Sequence, residues 1–161
     1  MNISEHTTWE LETWLSPETV LDALIDFGPD RARIWIETSH PKILSVHATG
    51  RTWADVTEGV TSSWSRERYD WSTPGIVSLT QLDSNVAVPT GTIRYTLTAI
   101  PDGTHIACDR RRTFRATFDG VLAGTVMRTF GQRILRWQFA RGLARAAVLH
   151  DVRPGAMDEG Q

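Results

Sequence analysis

The longest regular pattern of apolar and polar positions lies in the last third of the chain, 119–150, which reads DGVLAGTVMRTFGQRILRWQFARGLARAAVLH. Val126, Phe130, Ile134, Trp137, Ala144 and Val148 follow one another at steps of three, four or seven, the spacing that stacks side chains on one face of an α-helix. That face is the expected core side. Arg128, Gln132, Arg133 and Arg136 fall mostly on the other side. Leu135, Phe139 and Leu143 add a second apolar row, so the helix should be half wrapped at its start and more deeply covered at its end. Asp119 is placed to cap it and Pro154 stands beyond it. About thirty residues make a rod of roughly 45 Å, long enough to span a small domain.

Most of the chain before this helix reads as sheet. Residues 6–15 alternate through Trp9, Leu11 and Thr13, a first strand. Ser16-Pro17-Glu18 then opens a helix with Val20, Leu21, Leu24 and Phe27 as its stripe, ended by Gly28-Pro29. A short second helix covers 30–38. Strand signals follow in series over 43–49, 52–60, 65–72, 75–82, 92–100 and 105–118. Their separators, such as Gly50-Arg51 and Pro101-Asp102-Gly103, are short turn clusters that suit antiparallel neighbours. No internal repeat or low-complexity linker divides the chain, so 1–152 is expected to be one domain and 153–161 a flexible C-terminal tail. The pattern predicts an α+β fold: a seven-stranded antiparallel sheet curved around the long C-terminal helix, with two short helices between strands 1 and 2. A sheet with one apolar face needs cover, and this helix can provide it.

This order, with SPETVLDALIDF after the first strand, ERYDWSTPGIV in the middle strands, DGTHIA before the last strand and the terminal helix, resembles the helix-grip fold of the SRPBCC superfamily. That superfamily gathers START, polyketide cyclase/dehydrase and birch-pollen-allergen-like proteins, and the likeness spans nearly the whole chain. It implies a deep cavity between sheet and helix that holds an apolar molecule. It does not imply a particular reaction, because catalytic residues differ between branches and no diagnostic set is present here. The function expected from the resemblance is a carrier or sensor for a small hydrophobic or aromatic molecule, lipid or polyketide-like. The alternative is a cyclase/dehydratase-type enzyme using the same cavity, and a protein-interaction module is a third reading.

The fold so implied gathers Trp35, Trp53, Trp64, Tyr69, Trp71, Tyr95, Phe114, Phe130, Ile134 and Trp137 around a single interior, as pocket lining or as solid core. Alternation in 92–100 turns Ile93, Tyr95 and Leu97 inward. In 105–118 the inward set is Ile106, Cys108, Phe114 and Phe118, which puts Arg110 and Arg112 on the same parity unless a bulge in ACDRRRT turns them out. An inward guanidinium needs a partner. Glu58, Glu67 or Asp70 can supply one from neighbouring strands, or the polar end of a ligand can, with Tyr95 as a second contact.

Composition narrows the field further. A net charge of −2 with 22% charged residues gives no broad basic field, so nucleic acid is not an expected partner. The lone cysteine, Cys108, rules out an internal disulfide and reads as a small core residue. His6, His40, His47, His105 and His150 are scattered without metal-ligand spacing, and Gly120, Gly124 and Gly131 match no nucleotide fingerprint, so neither metal nor cofactor is expected. The glycines read as points of close helix packing or room for a guest. With no basic-then-apolar leader and no stretch of eighteen apolar residues, a cytoplasmic protein without a membrane span is expected. Oligomeric state leaves no mark in the pattern.

Overall fold

Strand β1, Ile3–Thr13, buries Glu5, Thr7 and Trp9 and exposes Ser4, His6, Thr8 and Glu10 between them, so one face of the first strand already mixes acid, hydroxyl and aromatic groups. The computed structural model describes residues 1–152; the expected tail at 153–161 lies outside them. Ser16 caps α1, Pro17–Ile25, its hydroxyl accepting from the Thr19 amide at 3.2 Å. Helix α2 is a single turn, Arg31–Ile34, and does not reach residue 38 as expected. The amides of Thr38 and Ser39 instead both bond back to the Trp35 carbonyl, which turns the chain away.

The remaining strands are β2 (Ser45–Thr49), β3 (Trp53–Val60), β4 (Ser63–Asp70), β5 (Ile76–Ser84), β6 (Thr92–Ile100) and β7 (Gly103–Phe114), followed by α3 (Phe118–Leu149). They form one seven-stranded antiparallel sheet in the order β1-β7-β6-β5-β4-β3-β2, a meander closed by the return of β1 onto β7. Pairing of β7 with β1 and with β6 runs without a register shift, so no bulge interrupts ACDRRRT and Arg110 and Arg112 face the interior. The bulge lies elsewhere, where β4 meets β5. Glu67 pairs with Gln81 but Ser65 pairs with Ser84, leaving Leu82 as the extra, exposed residue and turning both Gln81 and Ser84 inward. Strand β7 ends at Phe114; Phe118, expected inward at its end, opens α3 instead and is exposed.

Helix α3 is capped by Thr117, which accepts from the Gly120 amide at 3.2 Å, while Asp119 sits in the first turn. The face it presents to the sheet is not the expected one. Gly120, Gly124, Gly131, Phe139, Gly142, Leu143, Ala146 and Ala147 are buried, whereas Val126, Phe130, Trp137 and Val148 are 39, 54, 54 and 80% exposed. Apolar residues occur on both sides of this helix, so periodicity alone cannot choose between them. The choice falls to size. A Cβ on Gly124 would sit 3.1 Å from the side chains of Ile3 and Phe114, and one on Gly142 would sit 2.3 Å from the Trp35 ring, so only a small-residue face fits this close to β1 and Trp35. The second expected row does pack inward, with Phe139 and Leu143 buried and Leu135 against the core. Cover by side chains is therefore deepest in the C-terminal half.

Gly142→Ala tests this close approach. Trp35 is buried, and its indole N–H donates to the Ala23 carbonyl at 3.0 Å, so the ring cannot retreat freely. Although Ala is the better helix former, the substitution is expected to lower stability by about 1–3 kcal/mol through overpacking, read from urea midpoints. A stabilised variant would show that α3 is not held this close.

Candidate functional site

The concave face of the sheet, α2 and the middle of α3 enclose a cavity of about 360 Å³, within the roughly 300–1,000 Å³ of small-molecule sites. One side is aromatic. Phe139 is its hub, with ring centroids 4.9 Å from Trp9, 5.2 Å from Trp35 and 5.2 Å from Tyr95. Leu24, Leu79, Ile93 and Leu135 extend the apolar surface. Trp64, Val60, Ser63 and Thr38 line the part with the most solvent contact.

The other side carries three guanidiniums, each matched by a carboxylate. Arg31 holds Glu58 through two bonds of 3.0 Å and donates to the Leu24 carbonyl at 2.7 Å, the Ala23 carbonyl at 3.3 Å and the Tyr69 hydroxyl oxygen at 3.1 Å. The Tyr69 hydroxyl in turn donates to Glu58. Arg110 pairs with Glu5, which also accepts from Thr7. Arg112 pairs with Glu67 and donates to Gln81 Oε1 at 2.8 Å, while Ser65 donates to Glu67 at 2.7 Å. Asp70, the third candidate carboxylate, faces outward and accepts from Ser72 instead.

These pairings set the electrostatics. Burial works to raise the Glu58 carboxyl, but the charge and hydrogen bonds of Arg31 outweigh it and hold the group below its ordinary range. Burial, and then the neighbouring Arg112 charge, depress Arg110. Burial pushes both Tyr69 and Tyr95 well up, so both phenols stay protonated. It also pushes the Cys108 thiol up to about 12, which leaves almost no thiolate to act as a nucleophile.

Several polar groups in the cavity wall have no side-chain hydrogen bond among the described residues, the Gln138 amide included, and two of them matter most. Glu67 Oε2 is buried without a hydrogen bond. The Tyr95 hydroxyl is the other: it heads a ring that Trp9 and Phe139 hold in place, and no described residue bonds to it.

Of the residues singled out in the sequence, Trp35, Trp64, Tyr69, Tyr95, Arg110, Arg112 and Phe114 line the cavity. The others stand elsewhere. Trp53 lies under the Arg68 guanidinium, 4.5 Å from it, on the outer face of the sheet. Trp71 packs half-buried against the core beyond the cavity, and Leu97 is core. Phe130 and Trp137 are on the outer face of α3, and Ile134 is half-buried at its flank, because the glycine face turned inward instead. Helix α3 is still a cavity wall, but through Leu135, Gln138 and Phe139. Trp9, Glu58, Glu67 and Gln81 were readable from strand parity; Arg31, on a one-turn helix, had no pattern to mark it. Among the described residues no group of His, Cys, Asp and Glu could hold a metal ion.

No protein-family model matches the chain, and no curated protein matches it by sequence. Solved structures match over nearly its full length. The Zhui aromatase/cyclase from Streptomyces sp. R1128 superposes with a TM-score of 0.70 at 14% identity, over 98% of this chain and 99% of that one. A START superfamily protein from Mycobacterium smegmatis gives 0.63 at 12% identity, over 92% and 98%. Norcoclaurine synthase from Thalictrum flavum, in complex with dopamine and hydroxybenzaldehyde, gives 0.64 at 9% identity, over 94% and 90%. The fold is the helix grip that these structures share. At these identities the likeness speaks for architecture alone. No helix among the described residues is long and apolar enough to cross a membrane.

Proposed function

We propose that this SRPBCC-fold protein is a carrier or sensor for one small, largely aromatic molecule that is uncharged and carries at least one hydrogen-bond donor. The carrying observation is the charge balance of the cavity. Arg31, Arg110 and Arg112 are matched by Glu58, Glu5 and Glu67, so no cation is left over for an acidic ligand. Prominent among what remains are an acceptor, Glu67 Oε2, and the Tyr95 hydroxyl, set beside an aromatic wall. A phenol or alcohol would donate to Glu67, and a carbonyl on the same molecule would accept from Tyr95. The hydroxybenzaldehyde in the norcoclaurine synthase complex, a neutral phenol with a carbonyl, is of this kind. Fatty acids, which bring a carboxylate, fit the balance poorly.

The test is a matched series of one aromatic frame: 2-naphthol, 2-naphthoate and naphthalene. The naphthol is expected to raise Tm and to quench tryptophan emission, because Trp9, Trp35 and Trp64 border the cavity. A ligand at a hundred times its Kd stabilises by about 2.7 kcal/mol. Glu67→Gln should lessen the preference for naphthol over naphthalene. Stabilisation by naphthoate and not by naphthol would overturn the proposal.

The cyclase/dehydratase reading is favoured by the same two groups, since a free carboxylate oxygen can take a proton and a protonated phenol can polarise a carbonyl. Mass spectrometry of poly-β-carbonyl chains after incubation separates the two readings: a carrier returns them unchanged.

A further inference from the structure

Helix α3 is apolar on two opposite faces, and the fold covers only one of them. Its inner face, built on glycine and alanine, lies against β1 and Trp35. On the outer face Leu122, Val126, Phe130, Trp137 and Val148 are all at least 39% exposed. At 100° per residue they fall within one stripe about a quarter-turn wide that runs nearly the length of the 32-residue helix. Exposed single apolar residues are ordinary, but a contiguous stripe of this kind marks a contact surface.

Charge decides what it contacts. Between 118 and 149 the chain holds five arginines, 128, 133, 136, 141 and 145, and a single acid, Asp119, on a protein whose net charge is −2. Arg133 stands within the stripe itself. Arg141 lies over the Trp137 ring at 5.1 Å with its side chain 54% exposed, and shares Glu37 loosely, at 3.6 Å. Arg145 is committed inward, to Glu37 at 2.5 and 2.6 Å, and Arg136 donates to the Glu10 carbonyl at 2.9 Å. A second copy of the same face would set these arginines against one another, so self-pairing through it is disfavoured.

We propose that the outer face of α3 docks on an anionic lipid surface, with Phe130 and Trp137 entering the headgroup boundary and Arg133 and Arg141 reaching lipid phosphates. A convex, apolar helix face rimmed by arginine, with an aromatic anchor at mid-length, has the composition of an interfacial helix. The face is separate from the cavity, and docking does not depend on what the cavity holds.

The experiment is flotation of the full chain with phosphatidylcholine vesicles and with phosphatidylcholine–phosphatidylglycerol vesicles, in low and high salt. Binding to the anionic vesicles should be stronger by roughly fivefold per engaged arginine and should fall with salt. Lipids brominated near the headgroup should quench an emission component that disappears in Trp137→Phe. Phe130→Ser with Trp137→Ser should lose about tenfold or more in vesicle affinity while Tm and far-UV circular dichroism stay at wild-type values, because both side chains face out. No binding to anionic vesicles, equal binding to both vesicle types, or binding that survives the double substitution overturns the proposal. So does a concentration-dependent dimer, without vesicles, that Trp137→Ser abolishes, for that gives the face to a second copy.

Discussion

Replacing Arg112 by Met should destabilise the protein by roughly 3–5 kcal/mol, the usual cost of removing one partner from a buried ion pair. The Arg112 and Glu67 side chains are 5 and 6% exposed, so water cannot take over from the lost partner. Without the guanidinium, Glu67 keeps only the Ser65 hydroxyl, and Gln81 Oε1 loses its donor. Adding Glu67→Gln to Arg112→Met should recover most of the loss, since the buried charge goes with it. An arginine held in reserve for a ligand would behave in the opposite way: its Met variant would keep or gain stability in the absence of ligand. Urea unfolding of the two variants distinguishes these cases, and a loss under about 1 kcal/mol for Arg112→Met would falsify the paired arrangement. Because the substitution leaves Glu67 as an excess negative charge in the cavity, an Arg112→Met variant that still folds should discriminate against carboxylates more strongly than wild type.

Strand parity carried most of what the sequence made legible. Tyr95, Arg110 and Arg112 point inward as alternation places them, because β6 and β7 pair without a slip over their whole length. Parity failed where a bulge interrupts it: Ser84 reaches the interior through the extra residue Leu82, and nothing in QLDSN announces that. The α3 stripe failed for another reason. Hydrophobicity says which side chains leave water gladly, but the sheet selected the side that could come closest, and Gly124, Gly131 and Gly142 carry no hydrophobic signal. Gly120, Gly124 and Gly131 read as marks of close packing, while Gly142 draws no notice in the pattern, and Phe130 and Trp137 outweigh them all by size. Partnership was least legible of all. That the inward arginines meet Glu5 and Glu67 depends on strands far apart in the chain, with β1 beside β7 and the β4–β5 bulge setting the register.

Arg31 carries the second large effect, and its signature is a change of sign with pH. In the native protein Arg31 overcomes burial and holds the Glu58 carboxyl below its ordinary value of 4.5. A carboxyl whose folded pKa is depressed contributes stability that is fully present above the unfolded value and lost as pH falls through the folded one. Wild-type stability should therefore decline on the acid side of about 4.5 more steeply than that of Glu58→Gln. Glu37, Asp55, Asp70 and Asp109 are also depressed, but they are common to both proteins and drop out of the comparison. In Arg31→Met the desolvation of Glu58 is no longer opposed by a cation, so its folded pKa should move above the unfolded value. The sign then reverses. Relative to Arg31→Met with Glu58→Gln, the single variant should lose stability as pH rises from about 4.5 through the raised pKa, because there the folded state binds more protons than the unfolded one. The cost once Glu58 is ionised should reach roughly 3–5 kcal/mol, and it includes the lost bonds from the guanidinium to the α1 carbonyls of Ala23, which keeps the Trp35 indole, and Leu24. Urea midpoints for the two variants across the acid range read the difference directly. A single variant that gains stability with rising pH relative to the double would mean that Glu58 finds another cation, and the Arg31 cluster would not be the support of this wall.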